Sequence, residues 1–279
     1  MRSFWKVEFF RLITNKAFWG MLLCGLIISI CQFVDVTISS VKYLDVIINK
    51  LSFMNIGTLY PHSVYNHWIG GELESYWHFI YFLLIPVMAV VPYSYTYNSD
   101  RQTKLTVNYY TRGLRRDYTY VKYIITFLTG GFTVMFPLVV NLLLTMMKLP
   151  LLTPQAASGM YPINGSAMFA DMYYTSPGIY TVLFLVIIFI YAGLMAITPL
   201  SLSLFTDNGF VQMAMPFVGN IFIYCVCNIT SLYRYVPLRF TDPAQNGGFT
   251  HAPTAFIELG IIFVLNVCAM YRGMKDETL

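Results

Sequence analysis

The chain has 279 residues, 57% of them hydrophobic and only 11% charged, with 17 Lys plus Arg against 13 Asp plus Glu; its mean hydropathy is +0.60. Soluble domains carry about 25% charged residues, and a water-facing fold of this composition would expose apolar patches large enough to aggregate. The composition excludes an ordinary water-soluble domain and points to lipid as the solvent, with room for several crossings at about 20 residues each.

The first 16 residues, "MRSFWKVEFFRLITNK", read as an amphipathic interfacial helix. Trp5, Phe9, Leu12 and Ile13 recur at helical spacing, with Arg2, Lys6 and Glu8 on other faces, a pattern that lies in the headgroup boundary. Asn15 and Lys16 mark the turn into the bilayer. The stretch before Ala17 is too long and too aromatic for the basic region of a signal peptide, and no small-residue cleavage site follows, so the N-terminus is expected to be retained.

Six apolar runs follow, at 17–34, 76–97, 123–147, 179–205, 210–227 and 254–271. They lack strict two-residue alternation, so membrane helices fit better than barrel strands. The fourth and fifth are parted only by "TDNG", Thr206 to Gly209, read as a tight turn. All five cysteines (Cys24, Cys31, Cys225, Cys227, Cys268) fall within these runs, so they form no disulfide framework.

Basic residues accumulate near spans on the cytoplasmic side. With the N-terminus inside, the inner segments carry 12 of the Lys and Arg residues and the outer segments 5. Six of the 12 lie in the inner loop 98–122, namely Arg101, Lys104, Arg112, Arg115, Arg116 and Lys122. Orientation explains part of that density. The accompanying tyrosines, among them Tyr118, admit two readings: a loop that docks a protein partner, where Arg and Tyr are enriched, or a loop solvated by headgroups.

The outer segments are 35–75, 148–178 and 228–253. Val41, Leu44, Ile48 and Leu51 predict an outer helix, and Trp68 and Trp77 suit the headgroup level. His62, His67, Glu72, Glu74 and His78 lie close in sequence, but the His62–His67 spacing does not put both rings on one helical face, so surface polarity is the expected role rather than zinc. Asn164-Gly165-Ser166 and Asn228-Ile229-Thr230 match the short N-glycosylation pattern. No GxxxxGK[ST], GxSxG or HExxH occurs, so no P-loop or catalytic site is expected on this chain. The one Asp, Glu, Lys or Arg inside a run is Glu258, a candidate pathway residue nearer the outer surface than the midplane.

The stretches "MRSFWKVEFFRLITNKAFWG" and "LLIPVMAVVPYSYTYNSDRQTKL…TRGLRRDYTYVKYIITFLTGGF" resemble the six-span permease subunits of type-two ABC exporters. The likeness is closest to the small permeases of Gram-positive antimicrobial-peptide immunity and export systems. It covers nearly the whole chain in topology, while sequence specificity is confined to about 86–137. The resemblance implies an interfacial elbow helix and an all-α fold with both termini cytoplasmic. It also implies a short coupling helix docked on a separate ATPase, in which Asp100, Arg101, Gln102, Thr103, Lys104 and Leu105 match the coupling helix. Arg112 belongs to the same loop, and Arg115, Arg116, Tyr118 and Lys122 match the basic return into span 3. Many members have Glu at the position of Asp100, followed by a Gly that is absent here.

The resemblance further implies a multi-pass protein of the bacterial plasma membrane, partnered by ATPase subunits, a second permease and membrane lipid, with no nucleic acid. ATP and magnesium would be bound by the ATPase and no cofactor by this chain. The alternatives are an ion-coupled secondary transporter using Glu258, a membrane-embedded enzyme using the His/Glu group at 62–78, and a non-transporting sensor or assembly subunit.

Overall fold

The computed structural model describes residues 2–42, 62–72, 75–105, 115–155, 163–245 and 250–276. Every regular element among them is helical. Helix α1 is Arg2–Ile13 and α2 is Lys16–Gln32, which continues through a π-helical turn at Phe33–Ile38 to Lys42. A short α3, Val64–His67, precedes α4, Tyr76–Val90, and α5, Tyr95–Gln102. Then come α6, Arg115–Met146; α7, Ala170–Thr175; α8, Pro177–Leu202; α9, Gly209–Ile229; α10, Pro237–Phe240; and α11, Ala252–Asp276.

Six helical stretches are long and apolar enough to cross a membrane: Lys16–Lys42, Tyr76–Gln102, Asp117–Met146, Pro177–Leu202, Gly209–Ile229 and Ala252–Arg272. They coincide with the six apolar runs, as a multi-pass membrane protein requires. Their ends differ from the sequence expectation in physically legible ways. The first continues past Asp35 because Trp77 Nε1 donates to Asp35 Oδ2 at 2.6 Å, which satisfies the charge that ended the apolar run. Val41 therefore belongs to this continuation; the rest of the expected outer helix, Leu44, Ile48 and Leu51, lies outside the described residues. The third starts two turns before its apolar run, at Arg115, so residues 115–122 are helical rather than loop. Residues 203–208 separate α8 from α9, where Asn208 caps α9 by accepting from Phe210 N at 3.0 Å.

Helix α8 is the centre of the bundle, packed against α6, α4, α9 and α11. Its closest neighbour is α6, and small residues make the approach possible. A Cβ on Gly130 would stand 2.4 Å from Ala196 Cβ, one on Gly131 2.7 Å from Phe189, and one on Gly193 2.6 Å from Phe127. Membrane helices gain little from hydrophobic burial against one another, so such backbone proximity and its dispersion contacts supply much of the association.

Buried amides pin the end of the bundle remote from α1. Asn141 Nδ2 donates to Ser29 O at 2.8 Å and Gln32 Oε1 at 2.7 Å, while its Oδ1 accepts from Ile69 N at 2.8 Å. Gln32 Nε2 donates to His67 O at 2.8 Å. Gln245 closes the same end: its Nε2 donates to Met168 O at 2.6 Å and Tyr180 OH at 2.8 Å. Helices α9 and α11 bury far less of themselves than α4 or α8, and their outward faces carry apolar side chains such as Phe222, Ile229, Phe256 and Val264.

Candidate functional site

The most concentrated polar chemistry lies where α1, the α4–α5 break and the start of α6 meet. Helix α1 stops at Ile13, and Asn15 makes the corner: its Oδ1 accepts from Ala17 N at 2.9 Å, capping α2, while its Nδ2 donates to Pro92 O at 2.8 Å. Pro92 cannot continue the helical hydrogen-bond ladder, and α4 gives way to α5 through the turn 91–94. Ser94 Oγ donates to Ala196 O at 2.6 Å, fixing that break against α8.

This corner aims one face of α1 inward. Phe4, Glu8 and Arg11 are spaced four and three apart and share that face, whereas Trp5, Phe9, Phe10 and Ile13 are exposed. Arg11 makes a fork with Asp100: Nη1 donates to Oδ2 at 2.8 Å and Nη2 to Oδ1 at 2.6 Å. Its Nη1 also donates to Glu8 Oε1 at 3.0 Å. From α6, Lys122 Nζ donates to Glu8 Oε2 at 2.8 Å and to Asp100 Oδ2 at 3.1 Å. Tyr118 OH donates to Asp100 Oδ2 at 2.8 Å, and Tyr93 OH donates to Glu8 Oε2. The ammonium of Lys122 also stands 4.7 Å from the centroid of the Tyr93 ring, a cation–π distance.

Two carboxylates and two cations thus balance in charge. Asp100 and Lys122 are 0% exposed and Glu8 1%, while the Arg11 side chain retains 29%. The hydrogen bonds to Asp100 raise the Arg11 pKa above its ordinary value, with the charges of Glu8 and Asp100 adding to them, and together they overcome desolvation. A buried network of this kind adds little net stability against an apolar alternative, but loss of one member strands a buried charge, at a cost of about 3–5 kcal/mol. Its chemical capacity is to hold three segments in one geometry.

The residues expected to form the coupling loop divide accordingly. Asp100, Tyr118 and Lys122, expected in the coupling loop, instead face inward and offer no surface to a partner, because Arg11 takes Asp100, Glu8 takes Lys122 and Tyr118 donates to Asp100. Arg101 is half-buried, and its Nη1 donates to Ser203 O at 2.6 Å, tying α5 to the end of α8. Gln102, Thr103, Lys104 and Leu105 are exposed, and Lys104 adopts φ 55°, a left-handed conformation uncommon outside glycine. Arg115 and Arg116 open α6. Arg112 lies outside the described residues.

Elsewhere, the His62 and His67 rings meet edge to face with centroids 4.3 Å apart, and His78 Nε2 lies 3.3 Å from Asp242 Oδ2. Glu74 lies outside the described residues, among which no three His, Cys, Asp or Glu side chains gather to hold a metal ion. Glu258 stands on α11 with its Oε1 buried and without a hydrogen-bond partner.

Comparison of the chain with known protein families, curated proteins and solved structures found no match. The functional reading therefore rests on the site itself. Sequence reasoning missed Glu8, Arg11 and Tyr93 as members of it. The available signal was a matched pair of acids and bases at the same end of the predicted spans, where a lone charge beside hydrocarbon is costly and is expected to be paired.

Proposed function

We propose that this chain is the permease subunit of an ATP-driven exporter of the type-two ABC kind, acting with a second permease and separate ATPase subunits. In this reading α1 is the interfacial elbow helix, and the loop after α5 is cytoplasmic. ATP and magnesium belong to the ATPase, and this chain performs no chemistry.

The observation that carries the reading is the position of the ion network at both roots of the loop. Asp100 is the last buried residue before the exposed residues 102–105, and Tyr118 and Lys122 receive the chain on its return. A push on these exposed residues therefore meets a block formed by α1, α5 and α6 rather than a loose connection. Interfaces between packed elements shift between discrete arrangements rather than deforming continuously, so such a block can pass a displacement into α2, α4 and α6 together. The exposed stretch 102–105, with Lys104 and the apolar Leu105, is a surface a partner would grip.

The test is purification of the native complex through a tag on this chain, with identification of its subunits. An ATPase subunit is expected to co-purify, and Lys104→Ala/Leu105→Asp is expected to lose most of it while the permease remains in the membrane. A native complex without an ATPase overturns the reading.

A further inference from the structure

Helices α9 and α11 both pack on α8 and leave a groove of about 490 Å³ between them, within the usual size range of small-ligand sites. Met195 and Thr198 of α8 form its floor, Met215 and Gly219 one wall, and Ile262 and Leu265 the other. Most polar groups in the lining are already paired: Ser201 Oγ donates to Asn266 Oδ1 at 2.6 Å, Asn266 Nδ2 to Ile262 O at 2.9 Å, Thr198 Oγ1 to Leu194 O at 2.9 Å, and Asn220 Nδ2 to Tyr191 OH. Arg272 is the one cation of the lining, about 21 Å along α11 from Glu258, and the rest of what the groove offers a ligand is apolar.

One end differs. Glu258, Ile262, Leu265 and Asn266 are spaced four, three and one apart and share one face of α11. Glu258 stands one turn, about 6 Å, beyond Ile262 on that face. It lies within electrostatic range of Tyr191 and Cys227, which have other partners: Tyr191 OH accepts from Asn220, and Cys227 Sγ donates to Tyr235 O at 3.7 Å. Glu258 Oε1 is inaccessible and makes no hydrogen bond. An unpaired carboxylate in an apolar setting is costly, and a buried polar atom left unsatisfied calls for a partner.

We propose that this groove binds an amphiphilic cation, with the apolar body lying between α9 and α11 and a single amine head on Glu258. The ligand supplies the two things the site lacks, apolar volume and a donor with positive charge. As a substrate class this rests on the permease reading; as a binding site it stands apart from it.

The test measures binding of radiolabelled dodecylamine, protonated at neutral pH, to the whole chain in nanodiscs of zwitterionic lipid. Saturable binding is expected, and an equal concentration of uncharged dodecanol is expected not to displace it. Glu258→Gln should weaken binding about ten-fold or more, as loss of a charged hydrogen bond does. Gly219→Leu should weaken it comparably, because a Cβ there meets nothing within 4 Å and the side chain grows into the groove. Unchanged binding by Gly219→Leu overturns the groove as the site. Unchanged binding by Glu258→Gln, or full displacement by dodecanol from the parent chain, overturns the amine at Glu258 and leaves an acyl-chain groove. The assay contains no ATPase, so failure of the permease reading and failure of this site are separate outcomes.

Discussion

Lys122 Nζ stands 2.8 Å from Glu8 Oε2, joining residues 114 positions apart inside a pocket from which both are excluded from solvent. The pair decides how α1 is held, because Lys122 also reaches Asp100 and thereby closes the loop of contacts through Arg11. Lys122→Met leaves two carboxylates facing one guanidinium. It is expected to destabilise the chain by about 3–5 kcal/mol. Adding Glu8→Gln restores the charge balance, so the double variant should be more stable than Lys122→Met alone. Thermal unfolding in detergent reads both. A double variant whose loss equals the sum of the two single losses would show that the two side chains do not act together.

The α6–α8 contact makes a second prediction. Gly130→Ala places a methyl 2.4 Å from Ala196 Cβ and 3.0 Å from Ala89 O, with little room to yield because the second obstacle is backbone. Overpacking of this kind costs about 1–3 kcal/mol. Gly20→Ala meets nothing within 4 Å and should leave the unfolding temperature unchanged or slightly raised. Equal behaviour of the two variants would mean that α6 and α8 do not approach as closely as described.

The spans were legible because lipid demands continuous apolar runs, and the runs from Ala17, Tyr76 and Pro177 onward needed no tertiary information. Helix ends were less legible. Asp35 and the stretch from Arg115 to Lys122 look like loop by composition, yet Trp77 satisfies Asp35, Glu8 reaches Lys122 and Asp100 reaches Tyr118 from other parts of the chain. The candidate site was half visible for the same reason. Its loop residues stood out by charge density, but that Arg11 would take Asp100, 89 residues away, depends on the corner at Asn15 and the break at Pro92 acting together. No local pattern encodes that coincidence.

The end of the bundle remote from α1 should be sensitive to acid. Burial, with the nearby His62 adding to it, pushes the His67 pKa down from 6.5 to about 4. The neutral form is thus the one the fold holds. Stability from this group is complete above the unfolded value of 6.5 and is lost as pH falls from there toward 4, to a total of about 3 kcal/mol. Hydrogen exchange of residues 64–71 is expected to accelerate over that window, and His67→Gln should flatten the dependence. Exchange in the parent that is constant from pH 7 to 4.5 would contradict the assignment.

The orientation of the chain can be read from two single cysteines. The exposed Thr103 at the end of α5 and the exposed turn at Gly165 lie on opposite sides of the third span, and a Cβ at Gly165 meets nothing within 4 Å. From the 12-to-5 distribution of basic residues, Thr103 is expected inside and Gly165 outside. In a background with Cys24, Cys31, Cys225, Cys227 and Cys268 replaced, Gly165→Cys should react with a membrane-impermeant maleimide in intact cells. Thr103→Cys should react only after permeabilisation. The result bears directly on function, because only an inward-facing stretch 102–105 can meet an ATPase supplied with cytoplasmic ATP. Labelling of Thr103→Cys from outside would invert the chain, remove the docking role from Lys104 and Leu105, and leave the ion network as a clamp on the outer end of the bundle.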